Sequence, residues 1–170
     1  MIVMNKYFGY MPNDFINGEG VSVSLWTAGC PHHCPGCHNK HMWDYDNGYV
    51  IPVDLIQQLS HAITDNGIMR NLSILGGEPL APYNLSFTQW VIQGIRQKFP
   101  NIKIFIWTGY TLEELQEIYK TNIIAKDTLN FILENIDILI DGRYEEDKRD
   151  ITLKLRGSTN QRILYKGKDF

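Results

Sequence analysis

Residues 21–37 read VSVSLWTAGCPHHCPGC, an alternating run that breaks at Gly29 into a loop holding all three cysteines of the chain. Val21, Val23 and Leu25 alternate with small polar residues, the period of a strand with one face buried. Gly29, Pro31, Pro35 and Gly36 then keep the chain out of a regular helix, as suits a loop wrapped around something compact. The reading is a first strand over 21–29 that delivers Cys30, Cys34 and Cys37 at its C-terminal end.

The same strand-then-loop pattern recurs downstream. PVDLIQQLSHAI, residues 52–63, sets Leu55, Ile56, Leu59, Ala62 and Ile63 on one helical face, with Pro52 suited to a first turn. NLSIL (71–75) predicts a buried strand. A helix over 84–99 follows, with Asn84 as its cap, Phe87, Trp90, Val91, Gly94 and Ile95 on its buried face, and Pro100 as its stop. KIFIW (103–107) predicts a third strand. Thr111 with Glu114 forms a capping box that opens one or two helices through about residue 134. DILI (137–140) predicts a fourth strand, and ITLKL (151–155) and RILY (162–165) are further candidates. Alternating strands and helices at this spacing argue for an α/β fold with a largely parallel sheet, and no repeat or linker divides residues 1–170, so one domain is expected. TAGCPHHC, GGEPL, TGY and DGR all fall at strand C-terminal ends, where ligand sites of parallel α/β proteins assemble.

Sixteen basic against nineteen acidic residues give a net charge of −3, which argues against nucleic acid as a partner. Residues 141–170 carry 8 basic and 6 acidic residues, against 8 and 13 in the rest, so that stretch either serves an acidic surface or is simply solvated. No apolar run is long enough for a membrane span, and MIVMNKYFGYMPNDF lacks the zones of a signal peptide, so no membrane association and a cytoplasmic location are expected.

Three cysteines within eight residues admit three chemistries. Cys34-Pro-Gly-Cys37 alone would make a thiol-redox pair and leave Cys30 without a role. The three thiols with His32, His33, His38 or His41 would make a closed zinc site in a non-catalytic interaction module. Three thiolates on an iron–sulfur cluster would leave one iron open for a ligand. His32, His33 and His41 otherwise read as surface or supporting groups, Trp26, Trp43, Trp90 and Trp107 as core or pocket wall, and Glu113, Glu114 and Glu117 as solvated helix faces.

Cys30-x3-Cys34-x2-Cys37 after the first strand, with Gly76-Gly77-Glu78-Pro79 after the second, resembles the radical S-adenosylmethionine (SAM) superfamily. The resemblance implies that Cys30, Cys34 and Cys37 hold a 4Fe-4S cluster whose fourth iron takes the amino and carboxylate groups of SAM. It implies that Gly76, Gly77, Glu78 and Pro79 meet SAM through their backbone, so that Gly77→Val would impair SAM binding while the cluster still assembles. Gly36 stands where many members carry an aromatic residue beside the adenine, which leaves Gly36, Cys37 and His38 as the adenine-side candidates. The fold it implies is a partial, open (β/α) barrel, because a complete eightfold barrel needs about 250 residues.

Gly18-Glu19-Gly20, Trp107–Tyr110, Asp141–Tyr144 and Leu155–Arg162 extend the resemblance to the glycyl-radical activases of anaerobic (class III) ribonucleotide reductase. That implies a radical SAM oxidoreductase that generates a 5′-deoxyadenosyl radical and installs a glycyl radical on the reductase. A flavodoxin-like protein would be the electron donor. Asp141 and Arg143 match the position of a SAM-contacting Asp-Leu-Lys in related activases. The alternative within the superfamily is an enzyme acting on a small molecule, as the 7-carboxy-7-deazaguanine synthases do.

Overall fold

In chain order the strands are β1 (Lys6–Asp14), β2 (Ser22–Thr27), β3 (Tyr49–Val50), β4 (Asn71–Gly76), β5 (Ile104–Trp107), β6 (Ile138–Asp141) and β7 (Arg162–Tyr165), and the helices are α1 (Leu55–Thr64), α2 (Leu85–Lys98), α3 (Leu112–Tyr119) and α4 (Ile123–Asn135). This computed structural model describes residues 5–170; the first four residues, part of the stretch read against a signal peptide, lie outside the described residues. The strands form one sheet in the order β3-β1-β2-β4-β5-β6-β7. Pairings β2–β4, β4–β5 and β5–β6 are parallel, whereas β1, β3 and β7 join antiparallel at the edges. The α/β class stands and the sheet is open, with β3 and β7 as its edges; the one correction is that the sheet is only partly parallel, because the antiparallel β1, β3 and β7 flank the four parallel strands.

Period-two alternation decides the layering. Val23, Leu25, Leu72, Ile74, Ile104, Ile106 and Leu139 share one core with Leu55 and Leu59 of α1, Val91 and Ile95 of α2, Leu115 of α3 and Ile132 of α4, so all four helices cover one face. The opposite face carries Ser22, Ser24 and Ser73, all fully buried, beside Phe105, Ile138 and Ile140. Those serines are covered by the segment after β1: Ser24 Oγ donates to Asp14 Oδ2 at 2.6 Å and Ser73 Oγ to the Asn17 carbonyl at 2.5 Å. Burial raises the Asp14 carboxyl, but hydrogen bonds from Ser24, Asn17 and the Ile16 backbone outweigh it and hold the group below its ordinary range.

The capping box at Thr111 is present in both directions, with Glu114 N–H to Thr111 Oγ1 at 3.2 Å and Thr111 N–H to Glu114 Oε2 at 2.9 Å. The 111–134 stretch resolves into two helices. Four readings change. Residues 151–155 form turns instead of a strand, and β1 and β3, which lack apolar alternation, are added in turn, β1 on the edge of β2 and β3 on the edge of β1. Trp90 is 41% exposed and does not join the buried face of α2. Asn84 makes no side-chain cap; its amide instead donates to the carbonyls of Ala28 at 2.8 Å and Glu78 at 2.9 Å, tying the loops after β2 and β4 together. No helix among the described residues is long and apolar enough to cross a membrane.

Candidate functional site

The loops after β2, β4, β5 and β6 converge at the C-terminal edge of the parallel strands on one cavity of about 460 Å3. Cys30, Cys34, Cys37 and His38 form one wall, Gly76, Gly77 and Glu78 the second, and Trp107, Thr108 and Gly109 the third. Residues 153–161 close the far side through Leu153, Leu155, Arg156, Gly157 and Gln161, and Ile16 and Asn17 reach in from the loop after β1. The thiols share the cavity without converging on a point: among the described residues no three His, Cys, Asp or Glu side chains are placed to hold a single metal ion.

The cysteine loop is held by its neighbours. Gly29 N–H donates to the Met42 carbonyl at 2.8 Å and Cys30 N–H to the Trp43 carbonyl at 3.0 Å. Burial pushes the Cys30 thiol up to about 11, against the opposing backbone N–H groups of His32 and His33, and nearby Glu78 adds to the rise. Cys34 is likewise raised by burial, with the Tyr144 N–H opposing.

The two glycines after β4 are required by the cysteine loop itself. Gly76 has φ +109°, and a Cβ there would lie 2.9 Å from Thr27 N and Trp26 Cα. A Cβ on Gly77 would collide with the Gly29 carbonyl oxygen and lie 2.9 Å from its carbon. Their bare backbones let the two loops meet: Gly77 N–H donates to the Thr27 carbonyl at 2.9 Å and Glu78 N–H to the Gly29 carbonyl at 2.7 Å. Pro79 is buried behind the wall, its carbonyl accepting from Thr88 Oγ1 at 2.7 Å. Gly36, at φ +77°, lies under the Glu146 carboxylate, and the aromatic ring beside it is that of Tyr144, at 3.2 Å from where a Cβ would stand.

Glu78 is 1% exposed and its oxygens take four donors. Oε1 accepts from Thr108 Oγ1 at 2.7 Å and Leu80 N–H at 3.0 Å; Oε2 accepts from Gly109 N–H at 2.7 Å and His32 Nε2 at 2.8 Å. The His32 side chain is 4% exposed and meets the Tyr110 ring edge-on at 4.3 Å, so it is a tie between the cysteine loop and the ends of β4 and β5, not a surface group. Nothing periodic in the sequence marks this pair. His32→Ala leaves a buried carboxylate short of one donor, at a cost of about 1–3 kcal/mol. It should lower Tm and speed chelator-driven iron loss from the loaded protein. His32→Gln, whose amide nitrogen can take the place of Nε2, should restore most of both; equal loss in the two variants would count against the tie.

Asp141 and Arg143 stand apart from the cavity wall. Asp141 is fully buried, accepting from Leu112 N–H at 2.8 Å and Arg162 Nε at 2.8 Å, and paired with the Arg162 guanidinium a second time. Arg162 also pairs with Glu113 at 2.7 Å and holds that carboxyl at about 2. Arg143 is exposed and paired with Glu114 at 3.0 Å. Trp43 Nε1 and Arg156 Nε are buried donors without partners among the described residues.

Residues 16–164 match the family model of a 4Fe-4S single cluster domain, a span that starts at one wall of the cavity and ends in β7. An anaerobic ribonucleoside-triphosphate reductase-activating protein of Pasteurella multocida is 39% identical over 163 residues, covering 95% of this chain and 97% of that one. The protein of the same name from Escherichia coli K12 is 35% identical over 161 residues, 94% and 98% of the two chains. The one from bacteriophage T4 is 33% identical over 159 residues, 93% and 92%.

The chain belongs to the anaerobic ribonucleoside-triphosphate reductase-activating protein family.

For a member of this activating-protein family the donor set is coherent. Three thiols from one loop meet the chemistry of a 4Fe-4S cluster, and the matched span contains every residue that lines the cavity. The sequence reading located the cysteine and Gly76–Glu78 walls. It read Trp43 as core or pocket wall, and Trp43 lines the cavity; it did not reach Asn17 or give His32 and Tyr144 their partners, which depend on how distant loops pack.

Proposed function

We propose that the protein, acting as a single domain over residues 1–170, is the activase of an anaerobic ribonucleotide reductase, holding a 4Fe-4S cluster on Cys30, Cys34 and Cys37 and SAM in the adjoining cavity. The observation that carries this is the convergence of the three thiols and the Gly76–Gly77–Glu78 backbone on one cavity. When bound, the cluster supplies the electron that cleaves SAM to methionine and the 5′-deoxyadenosyl radical that takes the Cα hydrogen of a glycine in the reductase.

The chain's own residues bind, orient and exclude water. Gly76 and Gly77 offer their backbone, with Glu78 and Pro79 bracing it from behind. Gly36, Cys37 and His38 face the adenine side, with Tyr144 supplying an aromatic surface that Gly36 lacks. Asp141 and Arg143 serve through the frame: Asp141 anchors the start of α3 and the Arg162 end of β7, and Arg143 fixes Glu114 at the cap. Trp107, Leu153 and Leu155 exclude water from the reacting groups. The four-stranded parallel core, with its helices on one face, reads as part of a (β/α) barrel whose open side admits a segment of a protein substrate. A flavodoxin-like donor and a cytoplasmic setting complete the reading.

The test is anaerobic reconstitution with iron and sulfide, then electron paramagnetic resonance of the dithionite-reduced protein with and without SAM. A reduced-cluster signal that changes on adding SAM is expected. A colourless protein with one tightly held zinc would overturn the reading.

A further inference from the structure

We propose that Phe15 and Ile16 form an apolar anchor for the protein substrate at the edge of the cavity, an inference that rests on the reading above. Phe15 is 73% exposed and Ile16 82%, yet neither sits on a loose loop. The buried carboxylate of Asp14, at the end of β1, accepts from Ile16 N–H at 2.8 Å, Asn17 N–H at 3.0 Å and Asn17 Nδ2 at 2.7 Å. Ser24 of β2 donates to that same carboxylate, and Ser73 of β4 donates to the Asn17 carbonyl. The turn is therefore tied to two strands of the sheet, on the face that carries no helices, and the two side chains it holds in water are apolar. A side chain fixed in place before binding loses little freedom when a partner covers it, which is the property of an interface anchor.

Position gives this anchor its occupant. Ile16 lines the cavity, with Phe15 next to it in the chain; on the far wall Leu153 and Leu155 line it, with the 85% exposed Ile151 two residues away. Apolar surface thus flanks the cavity on two sides. Ile123 and Ile124, also exposed, begin α4 in the helix layer on the opposite face of the sheet, remote from any segment entering here. The reaction needs the Cα of a glycine brought to the cavity, and a glycine has no side chain by which to be held. The residues before and after it must supply the grip, and an extended chain spans about 3.3 Å per residue, so they land on the cavity's rims while the glycine lies over its centre. The partner that fits is an extended glycine-bearing segment with apolar side chains flanking the glycine.

The test uses the cluster-loaded wild type, Phe15→Ser and Phe15→Leu with SAM and the anaerobic ribonucleotide reductase of the same organism. Phe15→Ser should weaken equilibrium binding of the reductase by about 10- to 100-fold, the range for a lost interface anchor, and raise the half-saturating reductase concentration for glycyl-radical formation in step. The rate at saturating reductase, SAM cleavage without reductase and Tm should stay as in the wild type, because Phe15 is exposed and its turn is held by Asp14. Phe15→Leu, which keeps an apolar side chain, should retain most of the affinity. Unchanged reductase affinity in Phe15→Ser overturns the proposal, as does an equal loss in the leucine variant. A loss of reductase-free SAM cleavage would place Phe15 at the cofactor and overturns it too. So does a change in the sedimentation of the free protein with reductase affinity intact, which would make the patch a contact between two copies of this chain. A wild type that neither cleaves SAM nor binds the reductase would instead overturn the activase reading itself.

Discussion

Cys30→Ala, Cys34→Ala and Cys37→Ala are each expected to lose the cluster and drop glycyl-radical formation to background, while the apoprotein keeps its fold. The three thiols are the sulfur ligands that the cavity contains, and two thiolates do not hold a cubane that must also leave one iron free. The fold should survive because these side chains line a cavity and take no part in the helix-covered core. Iron and sulfide content after reconstitution, the reduced-cluster resonance and a thermal melt of the apoprotein measure the three parts. A single variant with full iron and intact turnover would remove that cysteine from the ligand set. A melt lowered as strongly as cluster content would make the loss one of folding.

Gly77→Val should be nearly as damaging, and by a route the sequence alone does not suggest. If Gly77 served only to let SAM approach, a valine would weaken SAM and spare the cluster. In the structure the space that its Cβ would need is filled by the backbone of Gly29, the residue before Cys30. Backbone cannot swing aside as a flexible side chain can, so the two loops must separate, breaking the Glu78 N–H to Gly29 bond and moving the first ligand. Overpacking of this kind costs about 1–3 kcal/mol or more, roughly 2–12 °C in Tm for a chain of this size. Cluster loading and SAM binding should fall together. A variant that loads full iron and loses only SAM affinity would return Gly77 to a pure ligand-approach role.

The parts of this protein that were legible before folding are those whose cause lies within a few residues. The period-two runs at Val23–Leu25, Leu72–Ile74 and Ile104–Ile106 require one buried face wherever they go, and all three bury it under the helices. The Thr111–Glu114 box closes on itself in a single turn. Cys30, Cys34 and Cys37 share one loop, so their common chemistry survives any packing of the rest. Strand ends are where loops meet in a parallel sheet, and that placed Gly76–Glu78 opposite the cysteines.

What only the tertiary structure decided spans long separations. His32 meets Glu78 across 46 residues, Asn84 reaches Ala28 across 56, and Trp107 holds Leu155 across 48. The Asn84 cap reading is superseded, whereas His32 as a supporting group and Trp107 as pocket wall stand but find partners that no local pattern names. β1 forms because β2 offers backbone hydrogen bonds, and β3 because β1 then does, causes external to their own sequences. The clearest case is the pair of arginines. Arg143 sits in the motif position but is drawn outward to Glu114, whereas Arg162, at the start of β7, is the arginine that pairs with the buried Asp141. Chain connectivity sets which residues can be neighbours along a few turns; which charge faces a cavity is set by the pairing of every competing charge, and that is a property of the folded whole.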